Sequence, residues 1–314
     1  MRYEAPKWLS NPHLQTIWPL AIKGPAPKFK RRRWDTPDGD FIDIDCLPTR
    51  KDTPLVVLFH GLEGSSNSHY ARALMRAVAA RGWNGVVVHF RGCSGEPNRL
   101  GRAYHSGDAD EVDWIIRKLA GGFKNVPIYA VGVSLGGNAL LCWLGTRCES
   151  AFQIVTKAAA ISAPLDLTAA GMHLGKGFNK VYTRHFLKTM RRNAALKAQK
   201  YPELFDTQRA AKAKTLFDFD DAYTAPVHGY RNVHDYWERA SSKRLLTQIT
   251  VPTLVLNAKN DPFMPRSALP RKREVSPVVT LEQPDQGGHV GFVTGRFPGR
   301  LDWLPNRILS YFES

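Results

Sequence analysis

Short apolar runs alternate with segments of helical spacing through the first half of the chain. Three of these runs are rich in β-branched residues and show no polar alternation: PLVVLFHG, GVVVHFRG and VPIYAVGVS. Such runs are typical of strands that are buried on both faces. Each is followed by a helical segment, in turn HYARALMRAVAARG, DADEVDWIIRKLAGG and LGGNALLCWLGTR. The rhythm of strand and helix predicts an α/β protein with a mostly parallel, doubly wound sheet.

The remaining segments extend this architecture at both ends. FKRRRWDT and DFIDIDCL flank a turn at Asp38-Gly39 and predict an N-terminal antiparallel hairpin. KAAAISAPL, VPTLVLNAKND and PVVTLEQ predict later strands, and PGRLDWLPNRILSYFES predicts a closing amphipathic helix. Residues 166–244 are basic, aromatic and helical in tendency, without a clear strand. We therefore expect one domain over residues 1–314, with a helical cap inserted at 166–244.

The net charge of +16 is concentrated in the expected cap, where eleven basic residues stand against two acids between Met172 and Lys214. Basic surfaces attract nucleic acids, anionic lipid headgroups or acidic ligands. No nucleic-acid-binding motif accompanies the charge, so we expect no nucleic-acid partner and favour a solvated helical face. Weak peripheral contact of the basic cap with a membrane is left open.

Location is predicted from the cysteines and from apolar segments. The four cysteines form no CxxC pair, and no run approaches the roughly 18 apolar residues of a membrane helix. The first residues, MRYEAPKWLSNPHLQ, contain no continuous apolar region of a signal peptide. These features predict a reduced, cytoplasmic protein without a transmembrane segment.

A G-x-S-x-G motif, Gly132 to Gly136, lies between a predicted buried strand and a helix. In that context a tight strand-to-helix turn exposes the serine hydroxyl, and small neighbours avoid clashes. The helix N-terminus also directs unpaired N–H groups toward developing negative charge. We interpret Ser134 as a nucleophile rather than a helix N-cap.

A serine nucleophile needs a base oriented by an acid, and on this architecture the chain order is serine, acid, histidine. Asp261 follows the buried run TLVLNAKN, and His289 follows the next strand, before the last helix. Asp166 also follows a strand and is the alternative acid, whereas Asp285 is expected in a solvated loop. We therefore predict a Ser134, Asp261 and His289 triad.

An oxyanion needs two preorganised N–H donors. We expect one from Leu135, directly after the nucleophile, and the other from Leu62 in the loop HGLEG. The sequence contains no HExxH cluster, no G-x-G-x-x-G and no Walker loop, so neither a metal nor a cofactor is expected.

Several stretches together resemble the YheT-like subfamily of the α/β-hydrolase fold, which is related to plant and animal α/β-hydrolase-domain proteins. They are SNPHLQTIWP, FHGLEGSSNSHYA, HFRGCSGEPNR, YHSG, GVSLGGNAL, KGFNKVY, FDD with HGY, NAKNDPFM and GGHVGF, from Ser10 to Phe292. The resemblance implies an α/β-hydrolase fold and a cytosolic serine esterase. It carries the nucleophile, acid and base onto Ser134, Asp261 and His289.

Three functions remain open from the sequence. The first is hydrolysis of a small-molecule carboxylic ester, including a lipid-like one, through an acyl-enzyme. The second is acyl transfer from the same serine to an acceptor; His105 to Asp110 spells the H-x-x-x-x-D spacing sometimes associated with acyltransferases. The third is a non-catalytic binding protein that uses the basic insertion.

Overall fold

The computed structural model describes residues 2–314 and contains one eight-stranded sheet. Its spatial order is β1-β2-β4-β3-β5-β6-β7-β8. The six strands from β3 to β8 run parallel, and β2 pairs antiparallel with both β1 and β4. The strands are β1 (Lys30–Asp35), β2 (Phe41–Cys46), β3 (Leu55–Phe59), β4 (Asn84–His89), β5 (Ile128–Val133), β6 (Lys157–Ile161), β7 (Thr253–Leu256) and β8 (Val279–Glu282). The predicted mostly parallel sheet with an N-terminal hairpin is confirmed.

Helices cover the sheet and fill the connections between its strands. They are α1 (Pro12–Ile17), α2 (His69–Ala80), α3 (Ala109–Gly122), α4 (Leu135–Arg147), α5 (Glu149–Phe152), α6 (Leu167–Leu174), α7 (Lys180–Lys200), α8 (Thr207–Lys212), α9 (Leu216–Phe219), α10 (Ala225–Val227), α11 (Val233–Ala240) and α12 (Trp303–Glu313). A π-helical turn at Asp220–Thr224 joins α9 to α10. The helical patterns found in the sequence correspond to α2, α3, α4 and α12, whereas α1 and the π-turn were not anticipated.

Both faces of the sheet are buried because its apolar side chains alternate between two cores. Val57 and Phe59 of β3 belong to the core formed with α3 and α4, whereas Val56 and Leu58 belong to the core formed with α2 and α12. All four side chains are fully buried. A strand covered on both sides needs apolar residues at every position, which explains the uninterrupted run LVVLF.

The segment 166–244 lies between β6 and β7 and has its own small core. It contains α6 to α11, and no strand is assigned to it in the part of the chain that the structure describes. Leu187 and Met190 of α7 pack with Phe219 and Tyr223 and reach Ala103 on the main body. The action of this helical segment as a cap stays a prediction.

Candidate active site

Ser134 occupies a strained turn between β5 and α4. Its backbone has φ 53° and ψ −122°, a left-handed conformation that costs a non-glycine residue free energy. A Cβ on Gly132 would lie 2.4 Å from the Gly136 carbonyl oxygen. A Cβ on Gly136 would lie 2.4 Å from the carbonyl oxygen of His60. The motif glycines are therefore required by direct backbone contact, and the turn lifts the hydroxyl out of the sheet edge.

The predicted triad residues meet at the carboxyl ends of the parallel strands. His289 Nε2 lies 3.0 Å from Ser134 Oγ, and His289 Nδ1 lies 2.9 Å from Asp261 Oδ2. Asp261 is buried, and the His289 side chain is almost so. With a proton on Nδ1, the imidazole leaves Nε2 to accept the serine proton. This arrangement can activate a hydroxyl nucleophile.

The alternative acids take other roles. Asp166 accepts a hydrogen bond from the Ala169 N–H at 2.9 Å and caps α6, and no contact joins it to His289. Asp285 is exposed and pairs with Lys259 at 2.7 Å. Of the three carboxylates compared, only Asp261 contacts the histidine.

The two ends of the H-x-x-x-x-D spacing do not form a joint site. Asp110 lies at the surface and pairs with Arg147. The His105 ring is buried and packs against the ring of His228, with 4.5 Å between centroids. Burial lowers the pKa of His105 to about 3, so its imidazole is neutral at neutral pH.

An aromatic ring fixes the plane of the His289 imidazole. The Phe263 ring stacks on it with 3.9 Å between centroids and 14° between planes. The Phe263 N–H in turn donates to Asp261 Oδ1 at 2.8 Å, which occupies the carboxylate oxygen that does not face the imidazole. One residue thus orients both the base and the acid, a role that sequence reasoning missed.

Helix α1 supports the histidine loop from outside the sheet. The fully buried Gln15 accepts hydrogen bonds from the Gly287 N–H and from Asn260 Nδ2, both at 2.9 Å. Thr16 Oγ1 accepts from the His289 N–H at 3.0 Å. A Cβ on Gly291 would lie 2.1 Å from the Gln15 carbonyl oxygen, so α1 and the histidine loop are in direct backbone contact at this glycine. The only sequence signal for this support was the stretch SNPHLQTIWP, which no periodic pattern explains.

Two tyrosines hold the loop predicted to provide an oxyanion donor. The Gly61 N–H donates to Tyr70 Oη at 2.8 Å, and the Glu63 N–H donates to Tyr104 Oη at 2.9 Å. Tyr104 then donates to Glu63 Oε1 at 2.7 Å. Between these two anchored N–H groups, the Leu62 N–H has no acceptor among residues 2–314.

The unpaired N–H groups lie beside the serine. A Cβ on Gly61 would lie 3.0 Å from Ser134 Cβ, so this loop and the nucleophile are in contact. Leu135 begins α4, and its N–H likewise has no protein acceptor in the described chain. Leu62 and Leu135 thus offer two available donors at the edge of the cavity that contains Ser134.

A cavity of about 460 Å³ extends from the serine between the sheet edge and the helical segment. Its helical side is mainly apolar, lined by Leu167, Leu174, Phe186, Met190, Leu216 and Phe219. The opposite end contains the carboxyl of Glu63, whose pKa is raised by burial, and the exposed guanidinium of Arg192. The volume and lining suit a small amphiphilic molecule.

Cys93 lies near Glu63 and Tyr104 and does not have the environment of an activated thiol. Burial raises the pKa of the Cys93 thiol well above its usual range, as does the neighbouring Glu63 carboxylate. In the described residues, no group of three or more His, Cys, Asp or Glu side chains is arranged to hold a metal ion.

Comparison with known proteins assigns the family. A family model described as the α/β hydrolase fold matches residues 54–296, which include the serine, the aspartate and the histidine. The chain belongs to the α/β-hydrolase fold family. As a member, this α/β hydrolase is 42% identical over 306 residues to the Escherichia coli protein named "Putative esterase YheT", covering 95% of this chain and 89% of that protein.

More distant relatives come from eukaryotes. The human protein "Phospholipase ABHD3" is 27% identical, covering 94% of this α/β hydrolase and 74% of the relative. "Embryogenesis-associated protein EMB8" from Picea glauca is 26% identical, covering 98% of this chain and 71% of that one. The resemblance to the YheT-like subfamily is confirmed.

Solved structures agree on the fold. The Pyrococcus furiosus esterase Pf2001 superposes with a TM-score of 0.56 at 17% identity, covering 99% of this chain and 96% of the other. Est1E from Butyrivibrio proteoclasticus superposes with a TM-score of 0.59 at 12% identity, covering 90% and 98%. Among the described residues of this α/β hydrolase, no helix combines the length and apolarity needed to cross a membrane.

Proposed function

We propose that this α/β hydrolase is a serine esterase that cleaves carboxylic esters through an acyl-enzyme intermediate. The observation that carries the proposal is the continuous hydrogen-bonded line from Ser134 Oγ through the His289 imidazole to the Asp261 carboxylate. The relative named as an esterase supports the same class of reaction.

In the acylation step, Ser134 Oγ attacks the ester carbonyl while His289 Nε2 takes the hydroxyl proton. The carbonyl oxygen becomes an oxyanion, for which the Leu62 and Leu135 N–H groups are the proposed donors. The imidazolium formed is stabilised by Asp261 and returns the proton to the departing alkoxide. The alcohol leaves, and the acyl group stays on Ser134.

In the deacylation step, water replaces the alcohol. His289 takes a proton from that water, the resulting hydroxide adds to the acyl carbonyl, and the Ser134–acyl bond breaks. The acid is released, and the proton on His289 returns to Ser134 Oγ. The apolar lining around Leu174 and Phe186 is the proposed place for the acyl chain.

Acyl transfer to an alcohol is the second candidate, since it needs the same serine and only a different acceptor. A Saccharomyces cerevisiae relative that is 28% identical is named "Medium-chain fatty acid ethyl ester synthase/esterase 2", covering 83% of this chain and 62% of its own length. That name includes both ester synthesis and ester hydrolysis, which are the two reactions that one acyl-enzyme can complete.

The test is hydrolysis of 4-nitrophenyl esters from acetate to palmitate by the wild type, by Ser134→Ala and by Ser276→Ala. Ser276 is also buried but lies just before β8, at the opposite end of the strands, so its loss controls for removal of a hydroxyl. We expect activity in the wild type and the control and none in Ser134→Ala. Equal rates in all three proteins, or none in any, would contradict the proposal. Added ethanol distinguishes acyl transfer to an alcohol from hydrolysis by water, because transfer yields the ethyl ester in place of the acid.

A further inference from the structure

Exposed large apolar side chains are concentrated beside the histidine loop. Leu14, Ile17 and Leu20 lie on and just after α1, and Phe178 and Val181 lie just before and at the start of α7. We call these five side chains the docking face. Isolated exposed apolar residues are ordinary on protein surfaces, but a group of this kind marks an interaction site.

The two halves of the docking face are held together by direct contacts. The His13 ring of α1 lies 4.5 Å from the Phe178 ring, measured between centroids. His13 Nδ1 also lies 3.1 Å from Tyr182 Oη in the first turn of α7. A further exposed ring, Phe297, packs 5.6 Å from Trp18 and extends the apolar surface past α1.

The segments that carry the docking face contain basic side chains and no acidic ones. The segments 5–34 and 167–202, which contain both of its halves, have no acidic residue. Lys176, Lys180, Arg184 and Lys188 are exposed, and none forms a salt bridge with a carboxylate within residues 2–314. Each basic side chain near an anionic lipid surface adds favourable binding energy.

One exposed stripe of α7 connects the docking face to the cavity. Val181, His185, Lys188, Arg192 and Leu196 are spaced three or four residues apart, which places them on one side of the helix, and all five are exposed. Arg192 and Leu196 also line the cavity that contains Ser134. The stripe therefore runs from the docking face to the wall of the cavity that contains Ser134.

We propose that the docking face binds the surface of an anionic lipid bilayer, with its apolar side chains among the acyl chains and the basic residues of α7 at the headgroups. Exposed leucine, isoleucine and phenylalanine side chains bury the most apolar surface in a partner that has an apolar interior behind a charged surface. A second copy of this chain would bring two acid-free, basic surfaces together, which Coulomb repulsion disfavours.

Docking itself depends only on this surface. Delivery of an amphiphilic ester along α7 into the cavity rests on the proposed esterase function. The binding test therefore uses a Ser134→Ala background, in which lipid hydrolysis by the proposed route is abolished.

Binding is measured by co-sedimentation with large unilamellar vesicles of phosphatidylcholine, with and without phosphatidylglycerol. We expect tight binding to the mixed vesicles, weaker binding to phosphatidylcholine alone, and a decrease as salt is raised. Leu14→Ser/Ile17→Ser should lower the partition coefficient by about tenfold. Lys180→Glu/Arg184→Glu should remove the preference for phosphatidylglycerol.

The matched control is Phe152→Ser/Val278→Ser. These two exposed apolar residues lie just before β6 and β8, at the end of the strands opposite the active site, and should not affect binding. Equal binding by the wild type and Leu14→Ser/Ile17→Ser, or an equal loss in the control, would overturn the proposal. A wild-type dimer that this double substitution converts to a monomer, without vesicle binding, would also overturn it in favour of a second copy.

A separate measurement distinguishes failure of the docking proposal from failure of the proposed function. With Ser134 intact, Leu14→Ser/Ile17→Ser should hydrolyse a soluble 4-nitrophenyl ester at the wild-type rate. Vesicle binding without hydrolysis would support the docking proposal and overturn the esterase proposal. Hydrolysis without vesicle binding would support the esterase proposal and overturn the docking proposal.

Discussion

Replacing Tyr70 with phenylalanine removes one oxygen atom from a ring that packs beside the proposed oxyanion loop. That oxygen accepts the Gly61 N–H at 2.8 Å. Without it, the Gly61 N–H has no acceptor in the described chain, and the peptide between His60 and Gly61, which directly precedes the peptide that carries the Leu62 N–H, is no longer fixed by that bond. The substitution therefore tests whether the tyrosine positions a donor that acts on the reacting oxygen.

The expected effect follows from what such a donor contributes. Complete loss of one oxyanion donor lowers kcat by about 10²–10³-fold. Tyr70→Phe loosens the peptide next to the one that carries the Leu62 N–H and shifts that donor rather than deleting it, so we expect kcat to fall by about 10- to 100-fold. KM should change little, because the donor acts on charge that develops only in the transition state. The orphaned Gly61 N–H should also lower the free energy of unfolding by about 1–3 kcal/mol.

The assay is steady-state hydrolysis of 4-nitrophenyl butyrate, combined with urea unfolding of each variant. Tyr129→Phe is the control, since the side-chain hydroxyl of this residue on β5 forms no hydrogen bond within residues 2–314 and the ring still stacks on Phe312. Loss of stability with kcat within about twofold of the wild type would refute a positioning role for Tyr70. A rise in KM with unchanged kcat would refute it equally, because the lost interaction would then be uniform binding.

Three other substitutions probe the turn, the acid and a buried imidazole. Gly136→Ala should prevent stable folding, because its Cβ would lie 2.4 Å from the His60 carbonyl oxygen, and thermal unfolding measures this. Asp261→Asn should keep stability within about 1–2 kcal/mol but lower kcat by about 10³–10⁴-fold, because the imidazole loses its orienting carboxylate. Burial lowers the pKa of His69 from 6.5 to about 4, so its contribution to stability is complete above pH 6.5 and is lost as pH falls toward 4. Between pH 7 and pH 5, urea titrations should therefore show the wild type losing about 2 kcal/mol more than His69→Gln.

Each of these three predictions has a result that would contradict it. A folded and active Gly136→Ala would mean that the backbone of the turn can rearrange with little loss of folding free energy. A wild-type kcat in Asp261→Asn would mean that another carboxylate orients His289. Parallel pH curves for the wild type and His69→Gln would show that this imidazole titrates alike in the folded and unfolded chains.

Much of the fold could be predicted because its signals are local. The run LVVLF specifies β3 by itself, since each residue must meet a core on one face or the other. The position of Ser134 was also predictable, because a G-x-S-x-G has this geometry only between a strand and a helix. Asp261 and His289 followed from their places after β7 and β8, since parallel strands end at one edge.

The rest depends on contacts between distant parts of the chain. Gln15 and the Gly287 N–H that it binds are 272 residues apart, and no spacing rule connects them. Tyr104 reaches Glu63 across 41 residues, and its sequence neighbourhood gave no sign of that partner. Phe263 lies in the stretch NAKNDPFM, which indicates no partner for its ring, whereas its stacking on His289 depends on how two loops meet. Such supports are set by tertiary packing rather than by local pattern.

Covalent labelling by a fluorophosphonate tests directly whether Ser134 is the nucleophile, because the reagent reacts with a serine only when a base activates it. The labelled protein is digested, and the modified residue is identified by mass spectrometry. We expect one adduct per chain, on Ser134, which is absent in Ser134→Ala and forms much more slowly in Asp261→Asn. No adduct on the wild type, or an adduct that persists in Ser134→Ala, would contradict the assignment of Ser134 as the nucleophile.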